Sequence, residues 1–283
     1  MDEQNMDILE QIHASYFQLT ATEKRVADFV LNNSERVQFM SITQLAEECG
    51  TAEATISRFC RSLQLKGFNA FKLELARLST PEKKLRQRSE SLDTPQGRFR
   101  EVGRLSMDAI QQTIDLVDYK AMARAVEMIE KAPHVMCIGS GGSMVMASDC
   151  AHQFSTVTPK VYVVADTHMQ MSACATMGLD DIIILFSYSG ATTSGLQILE
   201  LAKQRGIKTI LVTRYNKSPA AKLADVVLLC GSNEGPYQFG SVPAKVAQLI
   251  VIDMLFREYY VRNQESSEET IQRIGAALSS MHV

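Results

Sequence analysis

Apolar positions recur at helical spacing, in short blocks, over the first third of the chain, and past residue 133 they gather into brief all-apolar runs separated by longer stretches. Thr20-Ala-Thr-Glu23 has the form of a capping box, and Val26, Phe29 and Val30 follow on one helical face. Ser41-Ile-Thr-Gln44 repeats the signature ahead of Ile42, Leu45, Ala46 and Cys49, and Gly50 suits the left-handed residue that ends a helix. A third helix is expected immediately, with Thr51 as its N-cap and Glu53 in the first turn, where the helix dipole favours an acid. Its inward face is Ile56, Phe59, Cys60 and Leu63.

Past Leu73 the chain turns polar, and Thr80-Pro81 and Thr94-Pro95-Gln96-Gly97 read as helix breakers, so 78–101 is expected to be a linker. A helical stretch from about Val102 to Lys131 follows, closed by Ala132-Pro133. Strands are expected at His134–Ile138, Lys160–Val164, Ile182–Phe186, Thr209–Val212 and Val226–Leu229, with helices at Ser143–Ser155, Thr167–Thr176 and Thr192–Gln204 between them. Apolar strands alternating with crossover helices must be covered on both faces, which describes a parallel sheet. A long helix near 242–261 and a short one from about Ser267 close the chain. The predicted fold class is an all-α helix-turn-helix domain (1–77) followed by an α/β doubly wound domain (102–283), its five-stranded parallel sheet in the flavodoxin-like order 2-1-3-4-5.

Composition adjusts this picture in three places. With 283 residues, 46% of them apolar, the chain can fill two cores. The net charge of −3 hides an uneven distribution: residues 51–90 carry nine basic and four acidic side chains, a net +5. The six cysteines stand singly, with no C-x-x-C pair and no histidine at zinc spacing, so reduced, mostly buried thiols are expected and no metal or cofactor. No apolar run approaches the roughly 18 residues needed to span a bilayer, and Met1–Glu10 is acidic, so a soluble cytoplasmic protein is expected.

Two short helices joined by a glycine turn are the arrangement that sets a helix in the major groove. Thr55, Ser57, Arg58 and Arg61 are expected to point away from the core face of the third helix, with Thr51 at its start. Lys66 and Lys72 just beyond suit phosphate contacts. A solvated basic face would carry the same charges. The run Thr51-Ala-Glu-Ala-Thr-Ile-Ser-Arg-Phe-Cys-Arg-Ser-Leu-Gln-Leu-Lys-Gly-Phe68 resembles the DNA-binding domain of the RpiR family of bacterial regulators, in which Thr-Ile-x-Arg-Phe leads to Leu-x-Gly-Phe; the likeness covers about residues 1–77.

The first strand runs into Gly139-Ser140-Gly141-Gly142-Ser143 and then a helix; glycines let backbone amides approach an anion, and a helix N-terminus adds partial positive charge. Met144 stands where a dinucleotide fingerprint needs glycine, and no Gly-Lys-Ser/Thr follows as in a P-loop. The third strand runs into Ser187-Tyr-Ser-Gly-Ala-Thr-Thr193, again at a helix start, and strands one and three flank the point where this topology binds ligands. Together the loops resemble the sugar isomerase (SIS) domain over about 120–262, which implies sugar-phosphate contacts at Ser140, Ser143, Ser187, Ser189 and Thr192, with Gly141 between the first two. Glu234 and His168 are the candidate acid–base groups should the chain be a sugar-phosphate isomerase instead, and Glu234 otherwise a ligand contact. Ser241-Val242-Pro243 departs from the Ser-Arg that many SIS-domain regulators carry there. The whole chain resembles an RpiR family regulator, for which the implied partners are operator DNA and a phosphorylated sugar, acting as a homodimer or homotetramer.

Overall fold

Local capping sets the helices of the N-terminal part. In the computed structural model, which describes residues 7–78, 94–232 and 241–279, these are α1 (Ile8–Ser15), α2 (Ala21–Val37), α3 (Ile42–Glu48), α4 (Glu53–Ser62) and α5 (Phe68–Leu78). Both predicted boxes form: Glu23 N–H donates to Thr20 and Gln44 N–H to Ser41, while each partner side chain returns the bond. A third box, Asp7 with Glu10, opens α1, which periodicity left unassigned. Ile12, Val30, Leu45, Phe59 and Phe71 meet in one core, with Phe59 edge-on to Phe71 at 5.6 Å.

The described residues divide into two compact units, those up to Arg104 together with Ser241, and those of 105–232 with 242–279. In the second unit the elements are α6 (Pro95–Asp115, which begins in the first unit), α7 (Tyr119–Lys131), β1 (Val135–Gly139), α8 (Gly142–Ser155), β2 (Val161–Val163), α9 (Thr167–Thr176) and β3 (Ile182–Phe186). They continue with α10 (Thr193–Arg205), β4 (Lys208–Thr213), β5 (Val226–Leu229), α11 (Val242–Arg262) and α12 (Gln264–Leu278). The sheet is parallel in the predicted order β2-β1-β3-β4-β5. Two-residue alternation sends Cys137 and Ile184 into a core with Phe154 and Val251, and Met136 and Ile183 into another with Leu199 and Leu211.

Three readings need correction. Pro95 does not break a helix but starts one: Thr94 Oγ1 accepts from Gly97 N–H at 3.1 Å, and proline at the first helical position forfeits only an N–H that has no intrahelical partner. The stretch 102–131 is two helices, because the Asp118 side chain accepts from the N–H groups of Lys120 and Ala121 and starts α7 afresh. The last helix begins at Gln264, and Ser267 lies buried within it. Thr80-Pro81 lies outside the described residues.

Among the described residues no helix is long and apolar enough to cross a membrane. All six cysteines are buried thiols, and burial pushes Cys49 up to about 11 and Cys60 up to about 12. Ellman's reagent at pH 8 is therefore expected to find less than one equivalent in the native protein and six after denaturation; several fast native equivalents would contradict this packing.

Candidate functional site

The turn between α3 and α4 is set by hydrogen bonds. Gly50, at φ +58°, lets its own N–H donate to Glu47 O (3.0 Å) and that of Thr51 to Ala46 O (2.8 Å), which closes the Schellman pattern on α3. Across the turn, Thr43 Oγ1 donates to Glu53 Oε1 at 2.8 Å and ties the two helices together. The N-cap of α4 is Ala52, not Thr51; the Thr51 hydroxyl is buried with no hydrogen-bond partner among the described residues.

Of the residues assigned to the outer face of α4, Arg58 and Arg61 are exposed, Ser57 is half-buried and Lys66 is exposed beyond the helix end. Thr55 departs from the expectation. It is 5% exposed, and its hydroxyl accepts from Arg58 Nη2 at 3.3 Å, so it braces that guanidinium instead of facing outward. The reason is that α4 packs on α2, α3 and α5 at once, and its covered arc is wider than one apolar stripe. Other basic residues in this unit are engaged: Arg36 pairs with Glu48, Arg77 with Glu74 at 2.7 Å, and Lys72 lies over the Phe68 ring. Arg58, Arg61 and Lys66 have no carboxylate partner among the described residues. The Thr20 hydrogen bond holds the Glu23 carboxyl below its ordinary range, and Arg58 adds a smaller Coulombic pull, which sets Arg58 close to the start of α2. Exposed Arg25, with Nη1 3.6 Å from the place a β-carbon on Gly50 would take, is a further cation beside the turn that spacing did not single out.

In the second unit the loops after β1 and β3 converge. A narrow cleft, with a cavity volume of about 10 Å³, is lined by Gly139, Ser140, Ser143, Gln170, Leu185, Phe186, Ser187, Thr192 and Gly195. Ser140 and Ser194 are joined Oγ to Oγ at 3.2 Å, a direct link between the start of α8 and that of α10. Gly139 must lack a side chain, since a β-carbon there would stand 2.7 Å from Ser143 O. Gly141 at φ +56° and Gly190 at φ +59° turn each loop into its helix, and Thr192 holds the N-cap position of α10. Ser189 is set slightly apart; its Oγ accepts from Ala191 N–H at 3.3 Å and stays outside the lining.

Sequence reading missed two residues here. Gln170, 1% exposed, donates through Nε2 to Gly139 O (3.0 Å) and Val164 O (2.8 Å), pinning the first loop to the end of β2. Ser194 was overlooked because it falls inside the helical pattern of α10. His168 is exposed, and Asp166 serves as N-cap of α9, accepting from Met169 N–H. Glu234 lies outside the described residues. The lining offers hydroxyls, an amide and two helix N-termini, and among the described residues no charged side chain; such a surface holds an anion by dipoles and neutral donors.

A sequence model of the helix-turn-helix domain of the rpiR family matches residues 6–81, and one of the SIS domain matches 128–257. An uncharacterised HTH-type transcriptional regulator of Caldanaerobacter subterraneus is 33% identical over 251 residues, which cover 88% of this chain and 89% of that one. The chain belongs to the RpiR family. Another such regulator, YbbH of Bacillus subtilis, is 30% identical across 96% of this chain and 97% of its own length. Among solved structures, the Vibrio vulnificus NanR protein complexed with ManNAc-6P matches with a TM-score of 0.87 at 27% identity, covering 98% of this chain and all of that one. The sugar isomerase domain of an RpiR transcription factor from Sphaerobacter thermophilus shares the fold of the second unit, with a TM-score of 0.58 at 24% identity over 62% of this chain and 97% of that one. The protein is thus a transcriptional regulator that joins an RpiR helix-turn-helix domain to a SIS domain.

Proposed function

We propose that this cytoplasmic regulator binds operator DNA through α4 and that a phosphorylated sugar in the Ser140–Ser187 cleft sets its operator affinity, thereby controlling genes of carbohydrate metabolism. The observation that carries the reading is the hydrogen-bonded meeting of the two serine-rich loops at the N-termini of α8 and α10. Ser140, Ser143, Ser187 and Thr192, with the Gly141 backbone, hold the phosphate; Ser189 shapes the loop, and Glu234 completes the sugar contacts. Arg58 and Arg61 reach the groove, Ser57 approaches the backbone and Lys66 takes a phosphate. The likeness to NanR, whose structure holds ManNAc-6P, puts amino-sugar phosphates first among candidates. Paired half-sites would be read by a homodimer or homotetramer of the chain.

Thermal-shift and calorimetric titrations with ManNAc-6P, glucosamine 6-phosphate and arabinose 5-phosphate test the sensing half. A bound effector at 100 times its Kd stabilises the protein by about 2.7 kcal/mol. Ser187→Ala is expected to weaken binding by about tenfold or more, since a hydrogen bond to a charged group contributes about 1.5–3 kcal/mol; unchanged affinity would remove Ser187 from the site. The isomerase alternative makes a different forecast, namely turnover of the same compounds at ordinary enzyme rates. The relatives' names as transcriptional regulators favour sensing.

A further inference from the structure

The loop after β3 does more than line the cleft. Tyr188, between Ser187 and Ser189, has its carbonyl held by Thr213 Oγ1 (3.1 Å) and by Arg214 N–H (3.0 Å), and its own hydroxyl donates to Ser232 O at 2.8 Å. Arg214 Nε donates to the same carbonyl at 2.7 Å. Ser232 is one of two non-glycine residues at positive φ among those described, at +86°. A serine stays in that region only where its surroundings hold it there, and such held corners are common at switches.

The other side of the corner is clamped to α6. Gly231 N–H donates to Thr113 Oγ1 at 2.9 Å, and Ser232 N–H donates to Gln112 Oε1 at 3.1 Å. The approach is so close that a β-carbon on Gly231 would stand 2.6 Å from Gln112 Cβ and from Thr113 N. Thr113 is fully buried and anchors the contact by donating to Ala109 O at 2.7 Å. A short hydrogen-bonded chain therefore runs from the loop that carries Ser187 and Ser189, through Tyr188 and the Ser232 peptide, to the last turns of α6. The first ten residues of that same helix belong to the N-terminal unit.

We propose that the Gly231–Ser232 corner is the joint by which occupancy of the Ser187–Thr192 loop alters the hold on α6, and hence the helix-turn-helix unit that precedes it in the chain. The inference rests on the sensing reading above. With a ligand drawing Ser187 inward, the Tyr188 hydroxyl moves relative to Ser232 O. The corner then loses one of the two donors that keep φ positive. Relaxation at Ser232 rotates the peptide whose N–H meets Gln112. The two states of the joint are thus a held and a released Ser232, biased by ligand at one end and by α6 at the other.

The test uses the full chain, a duplex enriched by the protein from a random library, and whichever of ManNAc-6P, glucosamine 6-phosphate or inorganic phosphate gives the largest thermal shift. Two variants are compared with wild type: Gln112→Leu, which removes the acceptor, and Ser232→Gly, which lets the corner relax without cost. Wild type is expected to change operator affinity by about tenfold with the probe bound. Both variants should keep the probe Kd within about threefold and lose most of that change. In hydrogen exchange, the probe should alter protection of the amides of 105–115 in wild type and not in the variants. Full wild-type coupling in either variant that binds the probe overturns the joint. If no probe shifts wild type, or if probe binding leaves operator affinity unchanged, the sensing reading falls first and the joint with it.

Discussion

Gly190→Ala is expected to lower the melting temperature by about 6–12 °C and to abolish effector binding at concentrations that saturate wild type. A β-carbon at Gly190 would stand 2.1 Å from Ser218 Oγ and 2.5 Å from Ser218 Cβ. Ser218 cannot step aside, because it is fully buried and its Oγ accepts from Ala221 N–H at 3.3 Å. Overpacking of this kind costs about 1–3 kcal/mol, and an alanine at φ +59° adds about 1–2 kcal/mol. At about 2–4 °C per kcal/mol for a domain of this size, roughly 3 kcal/mol gives the stated range. The loop must also shift, and Gly190 O gives up its bond from Ala220 N–H. Differential scanning fluorimetry with and without sugar phosphate reads both effects; a variant with wild-type melting and a wild-type ligand response would show that the turn tolerates a side chain.

Arg58→Ala should weaken operator binding by about 5–150-fold and leave the effector Kd unchanged, the range following from about 1–3 kcal/mol for a guanidinium contact to a base. Arg58 is exposed, has no carboxylate partner among the described residues and is held by the Thr55 hydroxyl, so its fork is already oriented. Fluorescence anisotropy at several salt concentrations separates two roles. A base contact shows as relaxed sequence preference with the salt slope kept, whereas a phosphate contact shows as a slope smaller by about one with preference kept. Equal affinity of the variant and wild type at every salt concentration would take Arg58 out of the interface.

Much of this architecture is legible in the sequence because each level repeats the same message. The apolar runs Val135–Ile138 and Ile182–Phe186, bounded by glycine and serine, can only be strands covered on both sides, and the topology then brings their following loops together. Thr55 misleads because helical period alone does not say how many neighbours a helix has; with partners on three sides, a small β-branched residue at the margin goes inside. Pro95 misleads because proline marks a helix start as readily as an end, and only the bond from Gly97 N–H to Thr94 tells which. Gln170 carries no local signal, since its purpose is to bond two carbonyls that lie 31 and six positions away along the chain. The Gly231–Ser232 corner hides for the same reason: its partners on α6 are more than a hundred residues distant.

The cleft, whose described lining carries no charged side chain, has a consequence for the conditions under which such a protein works. Dipoles and hydroxyls grip over one contact length and are screened little by dissolved ions, whereas cations on a nucleic-acid surface act through an ion atmosphere that thickens or thins with the medium. On the proposed reading, a rise in ionic strength would therefore loosen the hold on operator DNA and leave the reading of the sugar phosphate nearly constant. Metabolite level and ionic strength would then reach the promoter as separable inputs, one setting which state the protein adopts and the other how firmly that state is felt.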